Sequence, residues 1–268
     1  MRASLLVLLM LAALAPAGTP SLAAAPPVEL RGDEVMLRQR DGVVEARGRV
    51  RITAGAARMG ADRAVYALRS RRIILSGHVT VTAPQGDLEA DSARAVLSIG
   101  NALETVEASG RVTLETAQRV VRAERLTYGV AGGAVAADGG VEVFIPPDII
   151  GRGRSLVMKR GEAATLLGRA RIQTKDGYVE SDRMDFAERT QVAFARGNVV
   201  GVFEETRITS AAATFYNLER RAVFRDGVRV VRPGRTLQAQ VVTIHLKDRR
   251  IVAEGETTIR LEDDPQRP

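Results

Sequence analysis

Residues 61–79 read ADRAVYALRSRRIILSGHV, and this stretch decides the fold. It opens on an acid between a small residue and a base, Ala61-Asp62-Arg63, and closes on Ser76-Gly77-His78-Val79. Both ends recur along the chain. The glycine marker returns as Gly48-Arg49-Val50, Gly77-His78-Val79, Gly110-Arg111-Val112, Gly139-Gly140-Val141, Gly168-Arg169-Ala170 and Gly197-Asn198-Val199, then Asp226-Gly227-Val228 and Gly255-Glu256-Thr257. The spacings are 29, 33, 29, 29, 29, 29 and 29. The acid marker returns as Ala90-Asp91-Ser92, Ala123-Glu124-Arg125 and Ser181-Asp182-Arg183, with Gly153, Ala211 and Gln240 expected in the acid's place elsewhere. It precedes the next glycine marker by 15 residues, except for 19 between Asp91 and Gly110, which places a four-residue insertion near Ser98 to Leu103. Asp33 lies 15 before Gly48, so eight units run from about Leu30 to Leu261. A fixed period of this size marks a repeat architecture.

Each unit reads as two strands and two turns. Ala46, Gly48, Val50 and Ile52 share one face, while Glu45, Arg47, Arg49 and Arg51 share the other. Ala64 and Tyr66 alternate with Arg63 and Val65, and their counterparts include Leu126 and Tyr128, Met184 and Phe186, and Ala213 and Phe215. Period-2 alternation with one apolar face is a half-buried strand. Pro84, Pro146, Pro147 and Pro233 follow the glycine markers by seven or eight residues, and proline is excluded from ladder interiors, so those positions are turns. The other connection carries breakers such as Asp41-Gly42, Arg69-Ser70 and Gly132-Gly133. A parallel β-helix would need a third short strand per coil, and there are two breaks per unit. The fold class expected is all-β: an open β-jellyroll or solenoid of about 16 consecutive antiparallel strands, built from eight ~29-residue two-strand repeats. Such a sheet buries its apolar face by folding along its middle into two layers. Its end strands, near Glu34 to Leu37 and Gly255 to Leu261, remain open to another chain.

Composition narrows the function. The chain has 268 residues, a formal net charge of +7, no Cys, no Trp and two His. That removes disulfides, thiol nucleophiles and Cys-ligated zinc, and leaves little material for a metal site or a catalytic triad. No cofactor, metal or catalytic residue is expected. Arg2, the apolar run Ser4 to Ala15 and the small residues Ala23 to Ala25 have the layout of a secretory signal peptide, assigned to residues 1–25. The run is shorter than the ~20 residues that span a bilayer. An uncleaved inner-membrane anchor is the competing reading. The β domain is assigned to 28–264 and a short tail to 265–268. Nucleic acid is a poor partner, because export and the scarcity of aromatics argue against base stacking.

Secreted 29-residue units with Gly-Asn-Val-type and Ala-Asp-Arg-type markers resemble the OstA/LptA family of periplasmic lipopolysaccharide-transport proteins. Arg196-Gly197-Asn198-Val199, Ser76-Gly77-His78-Val79 and Ala61-Asp62-Arg63-Ala64-Val65-Tyr66 carry the resemblance. It implies a twisted β-jellyroll that bridges the two membranes and carries lipopolysaccharide acyl chains in its apolar groove. It also implies LptC-like and LptD-like partners joined by end-strand addition, and a head-to-tail homo-oligomer. Within that family, an LptC-like anchored protein is the alternative; outside it, a self-assembling β-solenoid without ligand, or a polysaccharide-acting solenoid enzyme.

The resemblance makes the apolar interior the lipid site: Val50, Ile52, Ala64, Tyr66, Val79, Val81, Val112, Leu114, Leu126, Tyr128, Val141, Val143, Met184, Phe186 and Phe215. The many small interior residues, among them Gly48, Ala64, Gly77, Ala108 and Ala195, fit either an uncollapsed groove or a close approach of the two layers. The recurring acids read as structural repeat marks rather than ligands, and His78 and His245 as surface residues. The turns after each second strand carry 13 bases (Arg38, Arg40, Arg69, Arg71, Arg72, Lys159, Arg160, Arg189, Arg220, Arg221, Lys247, Arg249 and Arg250) against six acids. Stacked turns would gather them on one rim, where Arg69, Arg71 and Arg72 are the candidates for lipid headgroup phosphates.

Overall fold

The computed structural model describes residues 26–159, 161–245, 247 and 250–261. The signal-peptide assignment, the tail and the rim residues Arg160, Asp248 and Arg249 lie outside them. The described residues form strands joined by turns: β1 (Glu29–Arg31), β2 (Glu34–Arg38), β3 (Val43–Ala54), β4 (Ala57–Ala67), β5 (Arg72–Ala83), β6 (Gly86–Leu97), β7 (Leu103–Glu115), β8 (Val120–Gly129) and β9 (Ala134–Ile145), followed by β10 (Ile149–Met158), β11 (Ala163–Thr174), β12 (Gly177–Ala187), β13 (Val192–Phe203), β14 (Thr206–Tyr216), β15 (Arg221–Arg232), β16 (Arg235–His245), β17 (Arg250–Glu254) and β18 (Thr258–Leu261).

From β3 to β16 each strand pairs antiparallel with the next, in one open sheet. β1 and β2 both pair with β3, through Leu30–Ile52 and Val35–Ala46, so they are two halves of one edge. β17 and β18 likewise both pair with β16. Eighteen segments less these two breaks make sixteen strands.

The glycine marker is the fold line. Gly48 has φ +70° and Arg49 φ +46°; Gly77 and His78, Gly110 and Arg111, Gly168 and Arg169, and Gly197 and Asn198 repeat this left-handed pair. Glycine suits the first site because its positive φ would strain a residue with a Cβ. At each marker the register jumps: Arg47 pairs with Arg63 and the next pair is Val50 with Ala61. Two residues, Gly48 and Arg49, thus oppose one, Asp62. This is a β-bulge, which bends the strand and increases its twist. Repeated at one level in consecutive hairpins, the bulges crease the whole sheet into two layers.

The burial pattern follows the crease. In β4, Ala57, Met59 and Ala61 are buried, then Ala64 and Tyr66, with Asp62 and Arg63 both outside. The alternation changes phase at the bulge, so both half-strands turn an apolar face inward. One continuous apolar core results, running from Ala46 to Ile244.

Repeat four departs from the expected register. The turn between Ile145 and Ile149 holds three residues, whereas that between Ala54 and Ala57 holds two. The extra residue shifts β10 by one, so Arg154, not Gly153, stands in the acid's place. Its Cβ is the atom that a side chain at Gly168 would meet.

Candidate functional site

The acid and glycine markers are two halves of one contact. A Cβ at Gly48, Gly77, Gly110, Gly139 or Gly197 would overlap the carboxylate of Asp33, Asp62, Asp91, Glu124 or Asp182, respectively. The residue after the glycine completes the contact. Arg49 donates to Asp33 at 2.7 Å and Arg111 to Asp91 at 2.6 Å. His78 Nδ1 lies 2.9 Å from Asp62, and Asn198 donates to Asp182 at 2.9 Å. The guanidinium hydrogen bonds hold the Asp33 and Asp91 carboxyls below the ordinary aspartate range. These pairs line the outer ridge of the crease and are exposed. Among the described residues, no group of three or more His, Asp or Glu is placed to hold a metal ion.

The interior differs between its two ends. In the first half the layers touch. Ile52, Ile73, Leu75, Val106, Val112 and Leu114 are fully buried, interleaved with Ala46, Ala64, Ala95 and Ala108. There large and small side chains together fill the interior. In the second half the layers part around a cavity of about 1480 Å³. Its walls include Leu156, Leu166, Ile172, Val179, Ile208, Phe215 and Ile244. Of the interior residues expected from the sequence, Val143, Met184, Phe186 and Phe215 line it. Val50, Ile52, Ala64, Tyr66, Val79, Val81, Val112, Leu114, Leu126, Tyr128 and Val141 are buried in the closed core outside its lining.

The cavity opens along the seam where the two rows of turns face each other. Lys175, Asp176, Glu204, Asn217 and Arg220 border it and are exposed. Toward the first half the seam is held shut. Asn101 donates to the Pro26 carbonyl at 3.0 Å, and a side chain at Gly55 would sit 3.6 Å from the Asn101 carbonyl. At the boundary Arg119 reaches from the β7–β8 turn to Glu188 in the β12–β13 turn, at 2.7 Å. Arg119 also touches the Met158 sulfur, and Glu188 accepts from the Gly161 amide at 2.8 Å. Arg119 has no repeat signature, and sequence reasoning missed it.

The basic rim is divided by this geometry. Arg69 and Arg72 are exposed in or beside the β4–β5 turn, and Arg71 is half-buried there. All three belong to the closed half. Arg220 lines the cavity mouth, Arg189 donates to the Gly161 carbonyl at 3.1 Å, and Arg221 stacks 4.2 Å over the Tyr216 ring. Of the described rim bases, Arg220 lines the cavity, and the other bases on its walls are Arg119, Lys175 and Arg232.

Both ends of the sheet expose apolar side chains. Val35, Met36 and Leu37 on β2 are about half exposed, and Ile259 and Leu261 on β18 more so. Val35 and Leu37 pair with Ala46 and Val44 on the inward rows, so they are interior face laid bare at an open end. Ile259 pairs with Leu237 in the same sense at the other end.

No family model matches the chain, and no curated protein matches it. Among solved structures, the chain is similar to LptH of Pseudomonas aeruginosa, described as the LptA-homologous periplasmic component of the conserved lipopolysaccharide transport device. The match has 10% sequence identity and a TM-score of 0.23, and covers 90% of this chain and 98% of that one.

Proposed function

We propose that this protein is a non-enzymatic periplasmic carrier that holds lipopolysaccharide acyl chains between its two layers. The observation that carries this reading is the apolar cavity of about 1480 Å³ with a mouth along the seam. It exceeds the ~300–1,000 Å³ of ordinary small-molecule pockets. An acyl chain needs no directed hydrogen bonds; it needs apolar wall. Each buried methylene contributes about 0.8 kcal/mol, so a partly enclosed chain is held usefully. The exposed seam lets a charged headgroup stay in water while its chains enter sideways, near Lys175 and Arg220 at the mouth. The 29-residue units resembling the OstA/LptA family favour lipopolysaccharide among the lipids with this chemistry.

The bare end strands favour partners that add a strand at either edge: LptC-like and LptD-like jellyrolls, or a second copy of this chain. The test is purification from membranes followed by mass spectrometry of the bound lipid and of the N-terminus. Lipopolysaccharide co-purifying in stoichiometric amount is the expected result. A lipid-free protein that forms filaments would favour the self-assembling solenoid instead. An intact N-terminus would favour the LptC-like, membrane-anchored role.

A further inference from the structure

One inward position changes character along the chain. Four residues before each glycine marker (or Asp226), the repeats carry in order Val44, Ile73, Val106, Val135, Ala164, Ala193, Ala222 and Ile251. The first four are β-branched, the next three are alanine, and the last is β-branched again. The sheet register puts these residues on one inward row, through pairs such as Tyr66–Ile73, Tyr128–Val135, Phe186–Ala193 and Phe215–Ala222.

The change coincides with the change in the interior. Ile73, Val106 and Val135 are buried and away from the cavity. Ala164, Ala193 and Ala222 all line it, and Ile251 closes it at the far end. The neighbouring inward position, two residues before the marker, shows no such switch: Ala46, Leu75, Ala108, Ala137, Leu166, Ala195, Phe224 and Ala253. In the later repeats the missing side-chain carbons of this row leave room beside the cavity. A β-branched residue occupies this position in the other five repeats and suits a strand.

We infer that the lipid compartment is centred on repeats five to seven, with walls reaching into repeats four and eight and with Ala164, Ala193 and Ala222 as the residues that set its width, and that the closed first half is a spacer that carries no ligand. This rests on the lipid-binding reading above and adds where in the chain the acyl chains sit. It makes the chain asymmetric: a solid arm ends at the Arg119–Glu188 contact, and a loading compartment lies beyond it.

The test is to rebuild the row. The triple variant Ala164→Ile, Ala193→Ile, Ala222→Ile gives repeats five to seven the side chain of repeat two. Ala193→Val alone is the milder form, used if the triple variant does not fold. Binding of a fluorescent fatty acid and of purified lipopolysaccharide is titrated, with circular dichroism and thermal melting as fold controls. Each excluded methylene is worth about fourfold in affinity, so the triple variant should bind both at least about tenfold more weakly. Its melting temperature should not fall. Ile73→Ala with Val106→Ala, in the closed half, should leave affinity within about twofold, because no chain sits there. If wild type and the filled variant bind equally tightly, the compartment is elsewhere and the inference is overturned. If wild type binds the fatty acid but not lipopolysaccharide, and filling abolishes that binding, the compartment stands and the lipopolysaccharide assignment fails.

Discussion

Arg119 donates from Nη2 to Glu188 Oε1 at 2.7 Å, joining turns 69 residues apart on opposite rims of the seam. Both side chains are about one-fifth exposed. A pair at that depth is screened less than a surface pair, and removing Arg119 takes a charge-assisted hydrogen bond from Glu188 while the Gly161 amide stays. Arg119→Ala should therefore cost about 1–3 kcal/mol in urea unfolding and increase uptake of an apolar dye. The swap Arg119→Glu with Glu188→Arg should recover part of that loss. Equal stability of wild type and Arg119→Ala would mean that the contact does not hold the layers together.

Along the ridge, hydrogen bonds from Arg49 and Arg111 lower the carboxyl pKa of Asp33 and Asp91. A lowered folded-state pKa means the unfolded chain takes up the proton first. The contribution is full above the unfolded value, about 3.9, and is lost as pH falls through the folded values. Wild type should thus lose stability below about pH 4 more steeply than Asp91→Asn. The melting temperature followed from pH 6 to pH 2 checks this. Matching curves would remove Asp91 as a stabilising acid.

Gly77 and Gly227 separate strain from clash. Both have positive φ, +77° and +71°. A Cβ at Gly77 would overlap the Asp62 carboxylate, whereas nothing lies within 4 Å of one at Gly227. Gly227→Ala should cost about 1 kcal/mol, the left-handed strain alone. Gly77→Ala should cost clearly more, and Asp62→Ala in the same chain should relieve the part due to the carboxylate, while the Asp62 Cβ at 2.9 Å stays. A double-mutant cycle with no coupling would contradict the contact between the two markers.

The end strands should govern assembly. Leu37→Lys on β2 and Ile259→Lys on β18 place a charge on bare inward face at each edge, a device that blocks strand addition. Sedimentation should show concentration-dependent association of wild type and its weakening in either variant. The fold itself should be unaffected, because both side chains are already exposed.

Much of this was legible in the sequence. A glycine and an acid kept one period because they touch, so the repeat and the strand count could be read from the recurring markers; the crease at the marker could not, because alternation ran Gly48 through on the face of Ala46 and Val50. Alternation turned Val143, Met184, Phe186 and Phe215 inward, and the structure puts them on the cavity wall. What alternation could not tell is depth. It marks Val50 and Phe215 alike as inward, although one meets the other layer and the other meets open space. That difference comes from the facing layer, many strands away in sequence. The run Ala164, Ala193, Ala222 was visible in the repeat, but its meaning needed the cavity beside it. Arg154 in the acid's place needed the longer turn at Pro146–Asp148, because one added residue shifts a strand. Arg119 belongs to no repeat position and was silent.

The most direct measurement is photo-crosslinking in cells with one photoreactive residue at Phe215, on the cavity wall, compared with one at Ile73 in the closed half. The account predicts a lipopolysaccharide adduct from position 215 and none from position 73. Adducts from position 73 and none from 215, or none from either, would contradict it.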